Sequence, residues 1–417
     1  MDPVTLLLII AIVGRFYMAW NIGANDVANA FGTSVGSGAV TIRLAILLAA
    51  VCEFTGAFLV GEPVAKTISS EIVTPAVFET RAMDFGIGMV GALLAASVWL
   101  NIATFLGQPV STTHAIIGAV IGFAVVACGP TCIRWGEMVR IGASWVISPI
   151  VGGLMAYIIY RFGVRRYVLE SRHPVFMAIA SVPLGLGALV GIVVFSITYK
   201  GLPGLRLNFP LHWAAPLSIL VGLAVGVALW IGLRKKMWRH GIPHDQRYEF
   251  VERWFGHMQV ATACYMSFAH GANDCANAIG PLSVAITTLR TQAVPHEVGI
   301  PPLLLAFGGV GIVVGLATYG YKVIRTIGRQ ITEVTPTRGF SAEFGTATSV
   351  LVFSKLGMPI STTFVIVGAV IGVGLARGFA ALDLGVVRKI FTSWVVTIPF
   401  AAVLSAVFFL ALRSLTL

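Results

Sequence analysis

Three segments of this 417-residue chain occur twice, in the same order and at nearly the same spacing. GANDVANA (23–30) returns as GANDCANA (271–278), GQPVSTTHAIIGAVIG (107–122) as GMPISTTFVIVGAVIG (357–372), and Ser144-Trp145-Val146 as Ser393-Trp394-Val395, at offsets of 248, 250 and 249. One register shared by three separate motifs means that a whole structural unit has been duplicated, so the fold must be two copies of one architecture. The first repeat spans 1–162 and the second 258–417, and residues 163–257 form a linker that belongs to neither.

Composition decides the solvent. The chain is 57% hydrophobic and 11% charged, with a mean hydropathy of +0.90, well beyond an ordinary soluble domain. Apolar segments of about 20 residues, the length a helix needs to cross hydrocarbon, fall near 4–38, 42–62, 85–106, 109–128, 141–160, 175–198, 213–233, 258–289, 302–321, 340–357, 359–376 and 391–413, twelve in all. The short alternating strands of a membrane barrel are absent. The expected class is therefore an all-α polytopic membrane protein. The N-terminal stretch has Asp2 in place of a basic region and no small-residue cleavage site, so it reads as the first span. A net charge of +11 could suggest nucleic acid, but the basic residues sit between apolar runs and read as topology signals, so no nucleic-acid partner is expected. Of five cysteines, Cys128 and Cys132 share the turn CGPTC and could be a loop disulfide or two free thiols.

Charge sets the orientation. The loops 161–174 and 234–257, rich in Arg and Lys, are expected in the cytoplasm, as is the loop with Lys322, Arg325, Arg329 and Arg338. The stretch holding Glu62, Glu71, Glu79 and Asp84 falls outside. These placements agree only if the segments around each STT motif enter and leave on one side, as re-entrant helical hairpins. Each repeat then crosses three times and the linker twice, which makes the repeats antiparallel and puts both termini outside a cell inner membrane. This is the inverted-repeat plan, with broken helices at its centre; a parallel duplication with full spans at the STT motifs is the alternative.

Asp26 and Asp274 would lie mid-membrane, where a carboxylate is costly and usually faces protein or a water-filled cavity. Gly23 and Gly271 are expected to let the chain leave helical geometry and free carbonyl oxygens. Asn25 and Asn29, and Asn273 and Asn277, share helical faces with the acids. Such an oxygen cluster suits an alkali cation; mutual hydrogen bonding of two broken helices is the plainer reading. Pro109 and Pro359 suit helix starts, so Ser111-Thr112-Thr113 and Ser361-Thr362-Thr363 would present hydroxyls and free N–H groups at helix N-termini, where an oxyanion binds; ordinary capping is the plainer reading. Glu53 and Glu343 occupy non-equivalent places as partner or coupling acids. Lys355 could attract the anion or snorkel, Arg15 could balance an acid, and His114, replaced by Phe364 in the second copy, could titrate or cap.

With these doubled strings in view, the sequence closely resembles the inorganic phosphate transporter (PiT) family over both repeats. The resemblance implies secondary transport of phosphate with sodium or protons, some members moving metal-phosphate complexes or sulfate. It implies that Asn25, Asp26, Asn29, Asn273, Asp274 and Asn277 coordinate cation and support substrate, that Gln108 and the two STT strings hold phosphate, and that Glu53 and Glu343 match functional acids. Phe364, and Met358 where the first repeat has Gln108, make the two halves chemically unequal. The expected function is sodium-coupled phosphate symport by alternating access, with no enzymatic activity and no cofactor beyond the co-transported sodium; assembly into a homo-oligomer stays open. Proton coupling, sulfate as substrate, an anion channel and a membrane hydrolase using the two aspartates are the rivals.

Overall fold

The computed structural model describes residues 2–106, 110–199, 209–237, 243–295, 301–320, 335–378 and 384–416. Among them the chain is helical throughout, apart from short turns and one isolated bridge between Val73 and Ile133. The first repeat comprises α1 (Pro3–Asn25), α2 (Val27–Gly36), α3 (Ile42–Val60), α4 (Glu62–Ser70), α5 (Ala82–Phe105), α6 (Thr112–Cys128) and α7 (Trp135–Ile158), the last running on as a wider helix to Leu169. The linker supplies α8 (Pro174–Thr198) and α9 (Leu211–Met237). The second repeat comprises α10 (Arg247–Thr291), α11 (Pro302–Gly315), α12 (Pro336–Lys355), α13 (Thr362–Arg377) and α14 (Leu384–Thr416). Each of the twelve expected apolar segments falls on a helix. Among the described residues eight helices are long and apolar enough to cross a membrane, whereas α6 and α13, at 17 and 16 residues, fall short of the length required.

Local chemistry sets the boundaries. The Asp2, Thr41, Ser111 and Ser361 side chains accept backbone N–H groups at the starts of α1, α3, α6 and α13. The equivalent helices α6 and α13 both end on a glycine with positive φ, Gly129 at 86° and Gly378 at 125°. Beyond the first of these, Cys128 and Cys132 are joined in a disulfide.

The backbones of the two halves meet through reciprocal contacts. A Cβ on Gly118 would lie 2.6 Å from the Ile398 carbonyl oxygen and one on Gly368 2.3 Å from that of Pro149; Gly122 meets Ala402 at 2.1 Å and Gly372 meets Gly153 at 2.0 Å. These pairs exchange under the sequence offset, as a two-fold relation between the halves demands. A like exchange, with an offset of 259 between α3 and α11 (312 − 53 and 315 − 56), links Gly23 with Ile312 and Gly271 with Glu53, and Gly315 with Trp20 and Gly56 with Phe268. Such glycine contacts are how helices associate where lipid supplies no hydrophobic drive.

Direction follows from the same contacts. Ser37 bonds Gln259 and Ala39 packs on Gly256, while Asp26 lies beside His270 and Asp274. Residue numbers rise along α1–α2 as they fall along α10, so these equivalent helices are antiparallel. The hairpins also enter from opposite ends of α10. Gly86, early in α5, packs on Leu289 and Thr288, whereas the Thr337 N–H, early in α12, donates to Glu252 at 2.9 Å. Their tips meet between these ends, where the Thr113 hydroxyl donates to the Ile360 carbonyl at 2.9 Å. The helices that carry the two GAND strings are thus antiparallel, and the two hairpin tips meet from opposite ends of α10.

One expectation about the backbone is corrected. Gly23 and Gly271 stay helical: α10 runs unbroken through the second GAND string, and in the first string the helix is interrupted only at Asp26. The glycines serve close approach instead, because a Cβ at either would lie 1.9 Å or 2.2 Å from a neighbouring carbonyl oxygen. The loop residues Lys322, Arg325 and Arg329 lie outside the described residues.

Gly372→Ala is expected to destabilise the protein by about 1–3 kcal/mol by forcing α13 and α7 apart. Gly136→Ala, which meets nothing within 4 Å, should leave the unfolding temperature in detergent unchanged.

Candidate functional site

The two tips close on the middle of α10. Asp274, fully buried, receives the Thr362 hydroxyl on Oδ2 at 2.8 Å. Its Oδ1 receives the side-chain amides of Asn273 at 2.9 Å and Asn277 at 3.2 Å, with the Thr113 hydroxyl at 3.4 Å. One carboxylate thus gathers donors from both hairpins and its own helix. Asn277 also donates to Thr112 and Thr113, both at 3.2 Å, and the equivalent Asn29 donates to Thr363 at 3.0 Å. Each half's second asparagine therefore holds the other half's hydroxyl tip. The first asparagines face their own half: Asn25 donates to Thr104 at 2.6 Å, and Asn273 accepts from Ser354, the residue equivalent to Thr104, at 3.3 Å.

Within each STT string the roles divide. Ser111 and Ser361 accept the N–H groups of His114 and Phe364 at 3.2 and 3.3 Å, so these two residues are the caps. The threonines are left to face the pocket, and their N–H groups lie in a first turn without intrahelical acceptors. The second tip is tied down from the first half, since Thr67 donates to the Gly357 carbonyl at 2.7 Å and the Trp145 indole to that of Pro359 at 3.0 Å. His114 does not cap; its ring lies tilted against Trp145, centroids 3.8 Å apart, and edge-on to Phe364 at 4.4 Å. Because His114 and Phe364 are equivalent residues in mutual contact, they mark the pseudo-two-fold axis. Gln108 lies outside the described residues, and Met358 is half-buried against the core.

Asp26 is the unsatisfied member. It is buried, and neither carboxylate oxygen makes a hydrogen bond; Thr112 faces it outside hydrogen-bond geometry. Ligand atoms of Asp26, His270 and Asp274 lie within 4.8 Å of one another. Bare carboxylate oxygens in an apolar interior are costly unless a cation or proton meets them, so this corner suits a cation while the tip hydroxyls and amides suit an anion.

His270 is a site residue that the motifs do not point to, although its spacing of four from Asp274 on a helix is a signal. Its Nε2 lies 2.7 Å from Asp274 Oδ2 as an ion-pair contact without good hydrogen-bond alignment, and its Nδ1 lies 2.8 Å from Glu53. All three are fully buried. Glu53 thus joins the site through His270. Glu343 does not join it: Thr33 at 2.5 Å, Ser34 at 2.8 Å, Gln259 at 3.2 Å and Thr262 at 2.6 Å all donate to it in a separate cluster toward the end where α10 begins. Lys355 is also apart, its ammonium donating to the Tyr199 carbonyl at 3.0 Å beyond α8.

The sequence model described as the phosphate transporter family matches residues 22–405. The chain belongs to that family. It is 44% identical to inorganic phosphate transporter 2-1, chloroplastic, of Arabidopsis thaliana, over 94% of this chain and 70% of the relative. It is similar to a solved structure described as the sodium-dependent phosphate transporter, with a TM-score of 0.91 and 39% identity over 98% of this chain and 99% of the other. As a phosphate transporter it is a permease and not an enzyme, which sets aside the hydrolase reading of Asp26 and Asp274.

His270→Ala would leave Glu53 a buried acid without its partner. A loss of about 3 kcal/mol is expected on the scale of broken buried ion pairs, read as a lower unfolding temperature; Thr67→Val, remote from the carboxylates, should cost about 1 kcal/mol.

Proposed function

We propose that this phosphate transporter is a symporter that couples phosphate entry to sodium by alternating access. The observation that carries the reading is the pair of hydroxyl-bearing helix starts meeting over buried carboxylates, one of them, Asp26, with no hydrogen bond. In this reading Ser111, Thr112, Thr113, Ser361, Thr362 and Thr363, with Gln108, Asn25 and Asn273, take the phosphate. Asp26, Asn29, Asp274 and Asn277 take sodium, and Glu53 acts through His270. A phosphate bearing one to two negative charges binds poorly in a low-dielectric pocket already holding carboxylates. Sodium lowers that cost, phosphate lowers the cost of binding sodium, and this reciprocity is the coupling.

Sodium is favoured by the neutral amide and hydroxyl oxygens around the acids and by the description of the structurally similar protein. The chain Glu53–His270–Asp274 is a titratable path and supports proton coupling as the second reading. The basic segments near Arg161, Arg165, Arg166, Arg172, Arg247 and Arg253 lie at the end where α10 begins. That end is the cytoplasmic one by the charge rule, with both termini outside and the cell inner membrane as location.

Labelled-phosphate uptake into proteoliposomes tests the proposal. Accumulation should follow an imposed sodium gradient; accumulation driven by a proton gradient alone would transfer the coupling to the histidine chain, and none under either gradient removes symport. Asp26→Asn should reduce sodium-driven uptake by about a hundredfold or more, by the free energy of one lost charge-cation contact, while the protein stays folded.

A further inference from the structure

One buried charge takes no role in the pocket described above. Arg15, near the middle of α1, is fully buried. Its Nη2 donates to the Leu304 carbonyl, and its guanidinium carbon lies 4.8 Å from the Phe307 ring centroid. Its Nε and Nη1 meet no acceptor. Space for it is provided by Gly308, where a Cβ would lie 2.9 Å from Nη2 and 2.8 Å from the Cys275 sulfur. Guanidinium and thiol therefore share one cleft, and Cys275 directly follows Asp274 in α10.

The other half shows that the fold does not require this group. By the offsets of 248 and 259 the equivalents of Arg15, Cys275 and Gly308 are Ala263, Val27 and Ala49, so no charge stands at those three positions, although the same helix pair carries Glu53 and His270 further along. The one residue that differs between the two GAND strings is thus the one beside Arg15. A guanidinium in an apolar interior with two unspent donors is costly, and a helix latch needs neither the charge nor the room made by Gly308. What a fixed positive charge does beside Cys275, the residue that follows Asp274, is favour a nearby anion over a cation.

We propose that Arg15 is a positioning residue for phosphate: a fixed positive charge on one flank of the pocket that sets the anion's apparent affinity without being a ligand in the closed state. The proposal rests on the transport reading above. The symmetric flank has no such charge and carries instead the Glu343 cluster, whose own equivalents are Leu93, Pro281, Leu282, Ala11 and Gly14. The ionisable groups without copies therefore differ across the pocket, Arg15 on one flank and Glu343 on the other.

Initial rates of labelled-phosphate uptake into proteoliposomes, at saturating sodium, test it. R15Q should raise the phosphate KM about tenfold with Vmax kept within about twofold, the pattern of a lost ground-state attraction, and R15K should recover most of the affinity. G308A, which displaces the guanidinium without removing it, should give an intermediate KM. A normal KM in folded R15Q, or a fall in Vmax at unchanged KM with a lower unfolding temperature, overturns the proposal in favour of a latch. Should R15Q fail to fold, G308A decides: a raised KM at kept Vmax supports it and an unchanged KM overturns it. Absence of uptake by the wild-type protein would sink the transport reading instead, so the two failures are distinguishable.

Discussion

A carboxylate in the middle of an apolar bundle must be met by polar groups from outside its own helix, and the architecture follows from how Asp274 is met. Its donors come from Thr362 on one hairpin tip, Thr113 on the other, and two asparagines on α10. A helix that crosses the membrane cannot bring its N-terminus there. Only a helix that starts at mid-depth can, which is what a re-entrant hairpin provides. The reciprocal glycine contacts are the condition for this, because α6 and α13 must slide their backbones against α14 and α7 for the tips to reach the same point.

Symmetry builds the pocket and asymmetry gives it sense. The cross-half bonds Asn29 to Thr363 and Asn277 to Thr113 are two copies of one contact. Apart from Asp26 and Asp274, the ionisable groups around them are not copied. Glu53 and His270 correspond to Ile312 and Ile22, and Glu343 to Leu93. A carrier built of two identical halves would present the same field to both sides of the membrane. In the proposed transport cycle the shared motif would supply the binding geometry, and one-sided substitutions just beyond it the polarity.

The duplication, the helix inventory and the antiparallel arrangement are legible in the sequence because each rests on a pattern longer than one residue: a constant offset, hydropathy runs, and the distribution of loop charges. Most of the pocket is legible too, since Asp26, Asp274 and the STT strings are polar residues where polarity is expensive. His270 escapes such a reading because it lies just before the doubled string and has no copy in the first repeat. The role of Gly23 and Gly271 escapes it because glycine permits both unwinding and close approach, and only the neighbouring helix, distant in sequence, decides between them. The separation of Glu53 from Glu343 has the same origin, as both sit in apolar runs and differ in partners from other helices.

The same bonds bear on how such a pocket could open. The serines and threonines of both STT strings are buried. Opening toward either end has to pull a hairpin tip away from the asparagine of the opposite half. By symmetry the bonds lost on one side match those lost on the other, and each hydroxyl or amide contact is worth only about 1 kcal/mol net. Two open states related in this way differ little in energy as far as the motif is concerned. The preference between them is then left to the groups without copies, Arg15 on one flank and Glu343 on the other, and to whatever charge the pocket holds. A pocket with ions of both signs presents a smaller net charge to those flanks than one holding either ion alone, which gives the paired and unpaired states different preferences even though their hydrogen-bonded framework is the same.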